Sequence, residues 1–280
     1  MLHFSRRHVL PGRNAGRSST SLVGPGVRVG LVRSWGFTHF DSRHLAGVVS
    51  SFLPRGQAYV ELVLAGKLTI FGERTWGPGW VIHRRWAGWN ERWEGDVHII
   101  SVYAPEAGWR RATSKKLGAA TLRRLRVLAD QLEHSQEGAE VLARLVLKES
   151  GWKGDVEALL GPPPPPDVQV LATQLGALLS RLETNPQMVD LADAQGVSVR
   201  QVRRHLRAAE GWLGPYASAE GWRSQLNRTR VVTAVAFLAC STCRLAEVAH
   251  AVGYGSVRAM LRAFRNAGLP APSVLRGASL

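Results

Sequence analysis

The period of the hydrophobic positions changes along the chain. From about Trp35 to Pro105 short apolar runs are broken by glycine; AYVELVLAGKLTIFG (Ala58 to Gly72) and DVHIISVYAP (Asp96 to Pro105) predict strands, with GPGW (Gly77 to Trp80) as the turn between strands. The spacing then becomes helical. Leu122, Leu125, Leu128 and Leu132 recur along TLRRLRVLADQLE, and Val141, Leu142 and Leu145 mark a second amphipathic helix in GAEVLARLVLKE. GPPPPPD (Gly161 to Asp167) interrupts the pattern, because consecutive prolines donate no backbone hydrogen bonds and favour a stiff polyproline II spacer. Beyond it nearly every segment, from VQVLATQLGALLSRLE to VLRG, has helical periodicity.

This helical region contains the same pattern written twice. MVDLADAQ (Met188 to Gln195) is a short helix expected to open with Asn185 as N-cap and Pro186 at its first position, and Gly196 supplies a sharp turn. Ser198 and Gln201 then form a capping box that starts a second helix. In that helix Val199, Val202 and Leu206 make an apolar stripe, while Arg200, Arg203, Arg204 and Arg207 take the other face. The second copy has LAEVAHAV (Leu245 to Val252), a turn at Gly253, and a helix from Ser256 that buries Val257, Met260, Leu261 and Phe264 and exposes Arg258, Arg262 and Arg265. Both faces of the helix are kept at an offset of 58 positions. Two helix-turn-helix units with arginine-lined second helices suit successive segments of a DNA major groove, which lie roughly 34 Å apart.

Charge sharpens this reading. The 280 residues carry a formal charge of +15, which calls for a polyanionic partner. Residues 167–280 hold 13 Arg, no Lys and 7 acids, and Arg suits bidentate phosphate and guanine contacts. The first 34 residues hold six Arg, no acid and many Gly and Ser, a composition that predicts a disordered basic arm. No run approaches the roughly 20 apolar residues of a spanning helix, and two cysteines exclude a disulfide framework, so a cytoplasmic protein without a membrane partner is expected.

The stretch AEVAHAVGYGSVRAMLRAF resembles the second helix-turn-helix of the AraC/XylS family of bacterial transcription regulators. Gly253, Tyr254, Ser256, Arg262, Phe264 and Pro272 fall on the family pattern, and Arg230, Ala234 and Leu238 match the helix that joins its two motifs. Between Gly211 and Arg230 the chain is longer than that pattern. LVLAGKLTI, the turn at Pro78 and Gly79, WVIH and DVHIISVYAPE follow the strand order of the family's cupin-like effector domain. Composition and resemblance together imply an α+β multidomain chain: a disordered arm (1–34), a cupin-like β-barrel (35–112), a helical dimerisation segment (113–160), a proline-rich linker (161–167) and an all-α double helix-turn-helix domain (168–280). The resemblance implies a sequence-specific DNA-binding transcription regulator under small-molecule control, an activator or a repressor. The partners expected are double-stranded promoter DNA, a second copy of the chain, RNA polymerase and the effector.

The DNA-contacting residues expected are Ser198, Arg200, Gln201, Arg203, Arg204, Arg207, Ser256, Arg258, Arg262 and Arg265. Five tryptophans (Trp76, Trp80, Trp86, Trp89 and Trp93) either line a ligand pocket or fill the barrel core; Trp76, Trp80 and His98 are the pocket candidates. Cys240 and Cys243 have too few neighbouring ligands for zinc, and neither His83 nor His98 has the paired spacing of a cupin metal site, so no metal or cofactor is expected. No catalytic triad, phosphate loop or paired carboxylate is visible. The competing readings are a cupin-type enzyme carrying a DNA-binding module and a DNA binder that answers to no ligand.

Overall fold

The computed structural model describes residues 1–36, 39–41, 57–70, 74–84, 91–109, 113–213, 221–239 and 243–277. Its first half is an antiparallel sheet. Strands β1 (Leu2–Val9), β2 (Gly16–Val23), β3 (Arg28–Trp35), β4 (His39–Asp41), β5 (Gln57–Ile70), β6 (Thr75–Trp76), β7 (Trp80–Arg84), β8 (Glu91–Pro105) and β9 (Lys115–Lys116) run in the order β1-β2-β3-β8-β5-β7-β9, with β4 on β8 and β6 on β5. The two predicted strands are β5 and β8, paired from Gln57↔Pro105 to Ile70↔Glu91, and the predicted turn joins β6 to β7. Among the described residues the end strands β1 and β9 do not pair, so the expected closed barrel is an open sheet.

The disordered arm is a correction. Residues 2–35 form a three-stranded meander in unbroken register, and β3 continues it onto β8 through Leu31↔Ile100 and Val29↔Val102. Composition alone hid an alternation. Leu2 and Phe4 are buried on β1, as are Val29 and Leu31 on β3, at the two-residue spacing of a strand. Several of the arginines that suggested disorder are engaged inside the fold: Arg17 stacks over Trp93 and Arg33 reaches Asp130.

Alternation sends the strands' side chains to two cores. Leu22, Leu31, Val60, Leu62, Leu64, Ile100 and Val102 pack beneath α1 (Ala119–Leu132), α2 (Ala139–Glu149) and α3 (Val156–Leu160). Here Leu125 and Leu132 are fully buried and Leu122 and Leu128 partly so, together with Leu142 of α2. The stripe expected to join two copies of the chain thus packs on the chain's own sheet, since an amphipathic helix needs an apolar surface and a sheet face supplies one.

On the other face Leu2, Phe4, Val63, Leu68, Ile82, Trp93 and Ile99 share one core with the helices of the second half. These are α4 (Pro166–Leu179), α5 (Met188–Gln195), α6 (Val199–Ala208), α7 (Glu210–Leu213), α8 (Gly221–Leu238), α9 (Leu245–Ala251), α10 (Val257–Asn266) and α11 (Pro272–Gly277). Pro165, at φ −53° and ψ 142°, keeps the polyproline conformation, and Pro166 opens α4, a position where its missing N–H costs nothing. The run nevertheless does not separate two independent bodies, because α4 lies directly along β1. Gln169 Oε1 accepts from His3 N at 3.2 Å while its Nε2 donates to His3 O at 3.0 Å, and Arg7 N donates to Ser180 Oγ at 3.1 Å. Among the described residues no helix is long and apolar enough to cross a membrane.

Gly176 sits where α4 meets β1, and a Cβ there would lie 2.4 Å from the carbonyl oxygen of Ser5. Backbone cannot move aside as a flexible side-chain end can. Gly176→Val is therefore expected to cost about 1–3 kcal/mol by overpacking, read as a lower urea midpoint; an unchanged midpoint would show that the helix does not need this approach.

Burial also makes stability depend on pH. On β1, His8 is 8% exposed, and burial first, then Arg6 and Arg17, push its pKa down to about 3. The unfolded chain then binds the extra proton between about pH 6.5 and 3, so stability is complete above the unfolded pKa and falls with pH below it, by about 1.4 kcal/mol per unit for this one group. Urea midpoints at pH 7.5 and 5 should differ, and His8→Gln should shrink the difference. An identical difference in the variant would show that His8 is not the group responsible.

Candidate nucleic-acid interface

The helices of both predicted units are present, with one shift at the start. Asn185 takes a left-handed conformation (φ 54°) after a 3-10 turn at Leu182–Thr184, and α5 begins two residues later than expected, capped at Gln187, whose N–H donates to Asp190 Oδ2 at 2.6 Å. Asn185 is thus the end of the preceding turn, and Pro186 lies outside the helix. Gly196 ends α5 at φ 64°, as its place in the repeat predicts. The capping box forms: Ser198 Oγ accepts from Gln201 N at 3.3 Å and Gln201 Oε1 accepts from Ser198 N at 2.9 Å. In the second unit Ser256 Oγ accepts from Ala259 N at 3.2 Å and starts α10.

These caps aim the two arginine faces. Val202 and Leu206 are buried under α6, as Met260 and Phe264 are under α10, which turns the opposite sides of both helices to solvent. Arg200, Arg203, Arg204 and Arg207 are exposed on α6, and Arg258, Arg262 and Arg265 on α10. None of the seven is paired with a carboxylate among the described residues. Ser198, Gln201 and Ser256 differ from them, since each already accepts a capping hydrogen bond. Leu261 stands on α10 where the repeat places Arg203 on α6, so the first helix carries the denser cationic face.

What holds the two units together was only partly legible. Arg230, in the middle of α8, donates from Nη2 to Asn185 Oδ1 at 2.6 Å and lies over the Tyr254 ring at 5.6 Å, so one guanidinium braces both units. Tyr254 OH donates to Asn227 Oδ1 of the same helix at 3.0 Å, and Trp222 Nε1 donates to Pro186 O at 3.1 Å. Gly253 is required on two counts: φ is 78°, and a Cβ would fall 1.9 Å from Leu182 O. Asn185 and Trp222 were the missed members, because the bonds they make join distant segments of the chain. Residues 214–220, the middle of the extra length before α8, lie outside the described residues.

Two of the three pocket candidates come together and His98 does not. Trp76 and Trp80 meet edge to face at 4.8 Å, but Arg74 covers them, 3.8 Å from one ring and 5.0 Å from the other, so the cation such a pair attracts is already supplied. His98 lies elsewhere, facing Asp130 at the end of α1 at 3.9 Å. Trp93 is core, donating from Nε1 to Glu91 Oε2 at 2.9 Å, and Trp86, Trp89 and Cys240 lie outside the described residues. Cys243 is a buried free thiol.

A row of buried polar groups on β5, β7 and β8 carried no signal in the sequence. Tyr59 OH donates to Glu61 Oε1 at 2.5 Å, Arg84 donates to Glu61 Oε2 at 3.3 Å and also pairs with Glu91. Tyr59 stacks on Tyr103 at 4.7 Å, and burial, followed by the nearby Glu61 charge, pushes Tyr103 up to about 12. Both phenols therefore remain protonated donors at neutral pH.

The Arg230 brace can be tested directly. Arg230→Met keeps the stem and removes the guanidinium, leaving Asn185 without its donor; a loss of about 1–3 kcal/mol is expected in urea denaturation. A variant as stable as the parent would mean that packing alone sets the two units.

No protein-family model matches the chain, and no curated protein matches it. Among solved structures it is similar to ToxT from Vibrio cholerae, at 11% identity and a TM-score of 0.37, covering 89% of this chain and 98% of that one. It is also similar to unsaturated fatty acid bound wild-type ToxT from Vibrio cholerae strain SCE256, at 11% identity and a TM-score of 0.35, covering 91% and 96%. The AraC-like transcriptional activator CuxR matches at 14% identity and a TM-score of 0.35, covering 81% and 99%.

Proposed function

We propose that the chain is a transcription regulator of the AraC/XylS kind that binds double-stranded promoter DNA through α6 and α10. The observation that carries this reading is the pair of capped helices, each buried on its apolar side, that present seven exposed arginines without acidic partners. A merely solvated helix face on a soluble protein mixes both signs of charge, whereas these faces carry one. Arginine forks fit guanine edges and phosphates, and two second helices held by one connecting helix suit adjacent groove segments on one side of a duplex. Control by a small molecule is the second half of the proposal. The sheet on which an effector would act shares a core with the helices that carry the two arginine faces.

The test uses the full chain, because α4 and β1 share a core. Fluorescence anisotropy against duplex DNA should show binding whose logarithm falls linearly with the logarithm of salt, with a slope near −4 to −5 for about five phosphate contacts. With an operator selected from random duplexes, Arg200→Ala or Arg203→Ala should cost about 1–3 kcal/mol on that operator and less on scrambled DNA. Arg265→Ala should weaken both alike and flatten the salt slope. No duplex binding at low salt would overturn the proposal, and equal losses on both duplexes for Arg200→Ala and Arg203→Ala would reduce α6 to a positioning element.

A further inference from the structure

Far from the arginine faces, the sheet and the end of α1 bring together three groups that ligate metals. His98 stands on β8, Asp130 in the last turn of α1 and Glu133 at its C-cap. Their ligating atoms all lie within 4.8 Å of one another, with His98 Nδ1 at 3.9 Å from Asp130 Oδ1. We propose that His98, Asp130 and Glu133 form a binding site for a divalent transition-metal ion such as Zn²⁺, in exchange with the guanidinium of Arg33. The proposal stands apart from the DNA-binding reading and uses none of its residues.

Two observations point to a cation. The first is electrostatic. Asp130 and Glu133 sit at the carboxyl end of α1, where the unpaired carbonyls already carry partial negative charge, so the fold places two acids at the pole of the helix that repels them. Arg33, the cross-strand partner of His98, answers this: Nη1 lies 3.3 Å from Asp130 Oδ1 and 3.7 Å from Glu133 Oε1. One delocalised charge thus serves two carboxylates. The second observation is His98 itself, only 6% exposed, whose Nδ1 faces Asp130 Oδ1 at 3.9 Å, beyond hydrogen-bond reach. A buried imidazole turned toward two carboxylates at a distance too long for a hydrogen bond leaves Nδ1 open to an ion between them.

Imidazole nitrogen and carboxylate oxygen are both zinc ligands, three of them leave a fourth position for water, and ligands at about 2.0–2.2 Å from the ion stand roughly 3.3–3.5 Å apart. The 3.9 Å separation of His98 and Asp130 needs closure by about half an ångström, and the widest separation in the set, within 4.8 Å, needs at most about 1.5 Å, through rotation of the carboxylate side chains. Arg33 is 45% exposed and free to swing into water when the ion enters, while Ser18 Oγ, donating to Glu133 Oε1 at 3.0 Å, keeps that carboxylate oriented as an outer hydrogen bond.

The test is calorimetric titration of the chelator-treated full chain with ZnCl₂, supported by the visible absorption of Co²⁺, which reports coordination geometry. One ion per chain is expected. Asp130→Asn and His98→Gln should each weaken binding by at least about tenfold, while Arg33→Gln, which removes the competing cation, should tighten it. If His98→Gln fails to fold, Asp130→Asn at its exposed position still decides. No saturable binding would overturn the site, and so would binding unmoved by these substitutions, which would place the ion elsewhere, for instance at the cysteines. An Arg33→Gln variant that binds no more tightly would overturn the exchange.

Discussion

Strand β1 would end the sheet with a row of free backbone groups, and an uncovered edge of that kind recruits other strands. Here α4 covers it. Gln169 makes both hydrogen bonds that a neighbouring strand would have made to His3, Ser180 accepts from Arg7 one helix turn beyond the close approach at Gly176, and Val168, Leu171 and Leu175 fill the space against Leu2 and Phe4. From this contact much of the architecture follows. The first 35 residues are ordered because their outer strand has a lid, and the helices after the prolines are held to the sheet because their first member is that lid. The proline run becomes a stiff corner anchored at both ends, with Gly26 N donating to Leu159 O at 3.0 Å just before it.

The second half is organised by a different constraint. Two pairs of short helices, α5 with α6 and α9 with α10, each have too little core to fix their separation, and α8, between them in the chain, bonds to both sides. Its Arg230 answers Asn185 from one unit and Tyr254 from the other, and the glycine beside Tyr254 lets the turn of the second unit close on Leu182. The N-terminal hairpin reaches the same unit, where Arg13 donates to Glu247 at 3.3 Å. The Arg244 backbone N–H, together with Arg13, holds the Glu247 carboxyl below its ordinary range, so the first turn of α9 stays anionic where the helix dipole favours it.

The arginines therefore include two populations, separated in space. Arginines of the first three strands and the hairpin between the first two act within the fold, on Glu247, on Asp130 and Glu133, and over tryptophan rings. Those of α6 and α10 have no carboxylate partner among the described residues. A net charge counted along the chain merges these populations.

By itself the sequence determined what is local. The period of Leu122 to Leu132, the repeated capping serines, the turn at Gly196 and the burial of one face of α6 and α10 depend on residues within a few positions of each other, where backbone geometry leaves few choices. What the apolar faces meet was decided only by the tertiary structure. A stripe of leucines specifies an apolar partner but not which one, and in the fold the sheet covers it; a Gly- and Arg-rich opening specifies weak local order, which the edge contact with α4 overrode. Asn185 with Arg230, and His98 with Asp130 and Glu133, are separated by long stretches of chain, and such pairings leave no periodic trace because they follow from the packing of elements whose spacing is set elsewhere.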